Sequence, residues 1–207
     1  MQLVKKMTMV LCALFIIAVQ VKAQSFEEEQ KAFKASYAAE YKGDYVGAIA
    51  ALQTAYKADS YESNLRMGWL QFKAKNYTKS LEYYQKAIDG KKFSVEARLG
   101  YITTANANKS YDKAYNMYEQ ILKIDPYNNT ANYWVGVSYY TAKKYDVASK
   151  YFELVVNMYP FDYDANHMLA WTMLSLGKNS DAKELFKKAL LSRPGDASST
   201  DGLGKCK

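Results

Sequence analysis

The chain is poor in the side chains that build reaction centres: His167 is its one imidazole, and Cys12 and Cys206 are its only thiols. Hydrolytic and metal-dependent chemistry needs clustered histidine, cysteine or carboxylate groups. No HExxH, CxxC, GxSxG or phosphate-loop pattern occurs, and the acids are scattered at helical surface spacing. The sequence therefore points away from an enzyme and offers no metal or cofactor site. With Cys12 near the start and Cys206 next to last, no internal disulfide is expected in the mature chain, so stability must come from packing.

An excess of one charge is also missing. The formal net charge of +7 falls to +4 once Lys5, Lys6 and Lys22 are set aside with the leader. Acids and bases are mixed, whereas nucleic-acid binding needs a basic stripe, so no nucleic-acid partner is expected. The longest apolar run, Met7 to Val19, follows Lys5 and Lys6 and leads to Val21-Lys22-Ala23. At 13 residues it is short for a span of about 20. Residues 1–23 read as a secretory signal peptide cleaved after Ala23, which predicts a periplasmic or secreted protein. Retention as an anchor is the alternative. Leu11, large where a lipidation signal needs a small residue, argues against lipid attachment at Cys12.

Proline is scarce but regular. Pro126, Pro160 and Pro194 are the only three, and they are evenly spaced. A fixed period of about 20 to 50 residues marks a stacked array of short units, none of which can bury its apolar face alone. Tyr77, Tyr111 and Tyr145 keep the same interval as the prolines, with Tyr45 before them and Asn179 after. Three residues on come Ala48, Ser80, Ala114, Ala148 and Ala182, and four further on Leu52, Tyr84, Tyr118, Phe152 and Phe186. A small residue followed one helical turn later by a large one lets two helices approach and interlock. A second small residue stands upstream in each unit: Ser36, Gly68, Gly100, Gly136 and Ala170.

This pattern of small, Tyr, Ala and aromatic residues closing on a proline resembles the tetratricopeptide repeat, a helix-turn-helix of about 34 residues. The resemblance covers residues 29–194. It implies an all-α, right-handed α-solenoid of antiparallel helix pairs, with a repeat domain over 24–194 and units at about 29–60, 61–94, 95–128, 129–162 and 163–194. The family's first-helix Trp is missing throughout, and the first two units carry Ser60 and Lys92 where the later ones have proline. The third unit has two extra residues between Gly100 and Tyr111, which predicts a longer turn over 105–110. The last helix is more polar, with Asp181 and Lys188 where the preceding unit has Val147 and Leu154, and is expected to cap the array by itself. Residues 195–207, rich in Gly and Ser, are expected to be disordered. Asn76, Asn108 and Asn128 begin glycosylation sequons but fall in predicted turns, where Asn is common.

The resemblance places the binding surface on the concave groove lined by the first helix of each unit. Three positions before, one after and four after the upstream small residue lie on one helical face. Those slots hold Phe33, Tyr37 and Glu40; Leu65, Trp69 and Phe72; Ala97, Tyr101 and Thr104; Tyr133, Val137 and Tyr140; His167, Trp171 and Leu174. Lys and Asn, which clamp carboxylate-ended chaperone tails in the family's best-known members, are absent from the first two. Phe33, Tyr37, Leu65, Trp69, Phe72, Tyr101, Tyr133, Tyr140, His167 and Trp171 are the candidate contacts for a protein or peptide partner. The expectation is an exported, non-catalytic scaffold in an envelope-associated assembly. Two rivals stand beside it: a self-assembling structural protein whose array ends or grooves stack on one another, with the Cys206 thiol available to link chains, and a carbohydrate-binding module using the groove aromatics.

Overall fold

The computed structural model describes residues 26–207, so the leader expected at 1–23, with Cys12, lies outside the described residues. Among those described, the regular structure is entirely helical. The helices are α1 (26–41), α2 (Tyr45–Gln53), α3 (Tyr61–Lys73), α4 (Tyr77–Gly90), α5 (Val95–Ala107), α6 (Tyr111–Ile124), α7 (Asn129–Thr141), α8 (Tyr145–Met158), α9 (Tyr163–Ser175), α10 (Asn179–Ser192) and α11 (Ala197–Lys205). They belong to two compact units, one ending at Thr104 and the other beginning at Ala105.

Local chemistry at the turns sets the repeat. Ser60, Ser94, Asn128, Asp162 and Asp196 recur at the interval of the prolines, each just before a helix. Their side-chain oxygens accept from the amides three residues on, at 3.1, 3.0, 3.1, 2.8 and 2.7 Å. Each such cap satisfies an amide the helix leaves open and contributes about 1 kcal/mol. Four residues past three of the caps, the buried Asn64, Asn132 and Asn166 reach back to the turn. Each donates to two carbonyls, those of Ala58 and Ser60, Pro126 and Asn128, and Pro160 and Asp162, at 2.7–3.0 Å. Asn64 Oδ1 accepts from Tyr56 at 2.8 Å. Among the described residues the Asn132 and Asn166 oxygens have no hydrogen-bond partner, because Ile124 and Met158 stand where Tyr56 does.

Inside each pair the chain reverses through a left-handed residue: Gly43, Lys75, Lys109, Lys143 and Gly177, with φ of 76, 62, 57, 59 and 75°. That conformation costs lysine about 1 kcal/mol and glycine nothing. These residues also fix the register, and they correct the third unit. Lys109 lies midway between Lys75 and Lys143, and α5 has 13 residues like α3, α7 and α9, so the expected longer turn does not form. Ile102, 3% exposed, takes the slot of Gly68, Gly136 and Ala170, and Gly100 lies two residues off it. Two residues rotate a helix by about 200°, to its opposite face.

In the first unit Ala48, Leu52, Met67 and Leu70 form a buried cluster flanked by Phe33, Ile49, Tyr56 and Tyr83. The Tyr84 ring lies over two glycines: a Cβ on Gly68 would stand 2.9 Å from it, and one on Gly100 would overlap it. In the second unit the cluster is Ala148, Phe152, Leu169, Ala170, Met173, Ala182, Leu185 and Phe186. The lines of small residues from Ala48 to Ala182 and of bulky ones from Leu52 to Phe186 are buried throughout.

The tail is the second correction. Residues 195–207 are not disordered: Ala197–Lys205 is helical, packs on α9 and α10, and covers the end that α10 was expected to cap alone. Asp196 continues the series of caps, and Gly202 lies against the Phe186 ring so closely that a Cβ would overlap it. Leu203 and Cys206 join the second unit's core cluster. Cys206 is half-buried, its thiol donates to Gly202 O at 3.3 Å, and burial raises its pKa. It is not the exposed tail thiol that cross-linking of chains would use.

Candidate functional site

Helices α1, α3 and α5 turn one face each toward a cavity of about 440 Å³ in the first unit, lined by Phe33, Tyr37, Glu62, Leu65, Arg66, Trp69, Tyr84, Glu96 and Gly100. The helical period brings these residues together, since Phe33 and Tyr37, like Leu65 and Trp69, are one turn apart. Phe33 and Leu65 are half-buried, while Tyr37 and Trp69 are 55% and 38% exposed. Phe72 packs between the rings of Trp69 and Tyr77 at 5.8 and 6.1 Å, which makes it a support for Trp69.

Arg66 organises this site, although the groove slots of the sequence pattern do not include it. It is 7% exposed, pairs with Glu40, donates to Ser36 Oγ at 3.1 Å, and lies 3.8 Å above the Tyr37 ring centroid. The Trp69 indole N–H donates to the other Glu40 oxygen. Burial alone would raise the Glu40 carboxyl. Hydrogen bonds from Trp69 and Arg66, with the charges of Arg66 and Lys73, outweigh that effect and hold it below the ordinary carboxylate range. Tyr37 and Trp69 are thereby fixed in orientation by one charged pair. The sequence does carry a signal for Arg66: the chain has three arginines against 25 lysines. A planar guanidinium is favoured where it must pair and stack at once.

The structure corrects Tyr101. Together with Ala97 and Thr104 it is buried, because the two-residue register shift turns those three positions into the core. The face expected to carry them is held instead by Leu99, half-buried, and by Thr103 and Asn106, both exposed.

In the second unit the candidates are largely engaged with neighbours. Tyr133 packs on Trp134 and Phe152 at 5.3 and 5.9 Å, and burial, reinforced by the charges of Asp164 and Asp162, pushes its hydroxyl up to about 12. Tyr140 packs on Tyr145 at 5.3 Å. His167 and Trp171 meet α11: His167 Nδ1 lies 2.8 Å from Ser199 Oγ, and the Trp171 indole donates to Ser198 Oγ at 3.2 Å. Burial lowers the His167 pKa, against the opposing charges of Asp196 and Asp164 and with Arg193 acting in the same sense.

A further aromatic cleft in this unit, about 510 Å³, is lined by Asn106, Tyr111, Asp112, Ala114, Tyr115, Tyr118, Trp134, Val137 and Ser138. Trp134, 46% exposed and stacked on Tyr118 at 6.4 Å, lies outside the groove slots of the sequence pattern. Among the described residues there is no cluster of three or more potential metal ligands and no helix long and apolar enough to cross a membrane.

Comparison with known proteins agrees with the repeat fold. A tetratricopeptide repeat model matches residues 33–95 and 105–163, and a second matches 163–196. The chain is similar in structure to a tetratricopeptide repeat protein from Parabacteroides merdae ATCC 43184, with 21% identity over 88% of this chain and 72% of that one and a TM-score of 0.71. It is also similar to MamA protein, at 21% identity, 83% of this chain and 94% of that one, TM-score 0.67. MamA 41-end from Desulfovibrio magneticus RS-1 gives 19% identity over 70% and 82%, TM-score 0.61. Identities this low carry the fold alone. No curated protein sequence matches the chain.

Proposed function

Because the chain belongs to the tetratricopeptide repeat family, we propose that it is an exported, non-catalytic scaffold that holds a segment of a partner protein against its first-helix face, as part of an envelope-associated assembly. Repeats of this kind generally mediate contacts between proteins, which supports the reading. The observation that carries it is the first unit's cavity, where Tyr37 and Trp69 stay exposed although each is anchored through the Arg66–Glu40 pair. Exposed aromatics held in one orientation give a partner large contact area at low entropic cost. Export rests on the leader-like composition of residues 1–23.

The test is affinity capture from the cells that make the protein, comparing the mature chain with a Tyr37→Ala/Trp69→Ala form. Tyr101 is left intact because it is core, and Trp171 because α11 engages it. The expected result is a partner recovered by the first form and lost by the second. Recovery of the same proteins by both would overturn the assignment of the surface. Amino-terminal sequencing of the exported protein, with Gln24 expected first, checks the leader.

A further inference from the structure

We propose that the cavity of the first unit takes an apolar side chain of a partner segment flanked by lysine or arginine. The inference rests on the scaffold reading and adds the chemistry of the partner.

The cavity's lining combines apolar side chains with carboxylates. Phe33, Leu65 and Trp69 supply apolar wall, which favours an aromatic or aliphatic anchor. Three ionisable groups other than tyrosine line the space: Arg66, Glu62 and Glu96. Arg66 adds little positive potential, since its guanidinium is buried, paired with Glu40 and spread over the Tyr37 face. Glu62 and Glu96 are both exposed, and each takes a hydrogen bond from a neutral hydroxyl: Ser60 to Glu62 at 3.1 Å, Tyr61 to Glu96 at 2.8 Å. Neither forms an ion pair among the described residues. Lys73, whose ammonium lies 5.3 Å from the Trp69 ring centroid, does not line the cavity.

An apolar lining is thus joined by two carboxylates that have no ion-pair partner among the described residues, and Lys91 and Lys92, which line a separate hollow with Glu62, do not line this cavity. Charge complementarity at an interface rim sets partner choice and encounter rate. The field here selects cations and repels acidic segments.

The experiment measures binding of three synthetic twelve-residue peptides by calorimetry. They share two phenylalanines and differ only in whether lysine, glutamine or glutamate flanks them. The lysine peptide should bind about tenfold more tightly than the glutamine one, the glutamate peptide should bind most weakly, and raising the salt should narrow the spread. In a Glu62→Gln/Glu96→Gln variant, checked for folding by circular dichroism, the lysine peptide should fall to the glutamine level while the glutamine peptide is unchanged. Equal binding of all three, lost on Trp69→Ala, would overturn the charge preference and leave the scaffold reading standing. Failure of all three to bind would overturn the proposal and remove support from the scaffold reading as well. A lysine preference that survives the double glutamine variant would place the cation elsewhere and also overturn the proposal.

Discussion

Trp69 and Trp171 occupy the same slot of the repeat, three periods apart, and meet opposite fates. Trp69 is 38% exposed beside a cavity, its indole N–H held by Glu40. Trp171 lies edge-on to Phe186 at 5.2 Å, donates to Ser198 of α11, and has the Lys205 ammonium 5.3 Å from its ring centroid. The slot determines which way a side chain faces. What the chain places against that face determines whether it stays available, and on α9 the occupant is the protein's own last helix.

Four changes would break or sharpen this contrast. The largest is Phe186→Ala, which removes a fully buried ring that Gly202 and Trp171 both touch. It should cost about 4 kcal/mol in urea unfolding. Glu40→Ala comes next: it strips Arg66 of its counter-charge and Trp69 of its acceptor, and should cost about 3 kcal/mol. Fluorescence of a Trp134→Phe/Trp171→Phe background should then show Trp69 more mobile. Ending the chain at Pro194 deletes α11, with an expected loss of about 2 kcal/mol. In a Trp69→Phe/Trp134→Phe background the same truncation should open Trp171 to acrylamide quenching, making the two tryptophans alike.

The smallest effect concerns pH. His167 titrates below its ordinary value when folded, chiefly through burial, with Arg193 adding to it and Asp196 and Asp164 opposing. The folded state then binds this proton less readily than the unfolded chain. The stability it contributes is complete above the unfolded value of about 6.5 and declines as pH falls through it. His167→Gln should flatten the change in Tm between pH 7.5 and 5.5 by roughly 1 °C, and an unchanged slope would remove His167 as a source.

The helix pairs are legible in the sequence because breakers, caps and the lines from Ala48 to Ala182 and Leu52 to Phe186 share one interval. Sequence and structure part where composition outweighs position. The Gly and Ser content of the tail argues for disorder, yet Asp196 continues the caps from Ser60 to Asp162, and Gly202 follows Phe186 at the same spacing that separates Gly100 from Tyr84. In the third unit Gly100 mimics the register mark because it is small. The turn residue Lys109 shows that Ile102 holds that place, and the slip of two residues is what assigns Tyr101 to the groove when it belongs to the core. Arg66 is marked in the sequence only by the scarcity of arginine, because burial of a charge depends on its partner, and Glu40 belongs to a different helix.

The three guanidinium groups have a practical consequence. Arg66 and Arg98 are buried and Arg193 lies 3.5 Å above the Tyr163 ring, so every arginine serves the interior or a stacked contact while the 25 lysines carry the remaining positive charge. Amine-directed reagents will therefore decorate the outside and spare those three sites. A chain coupled to a resin or dye through its lysines is expected to keep the first unit's cavity in working order, which suits it to immobilisation for partner capture.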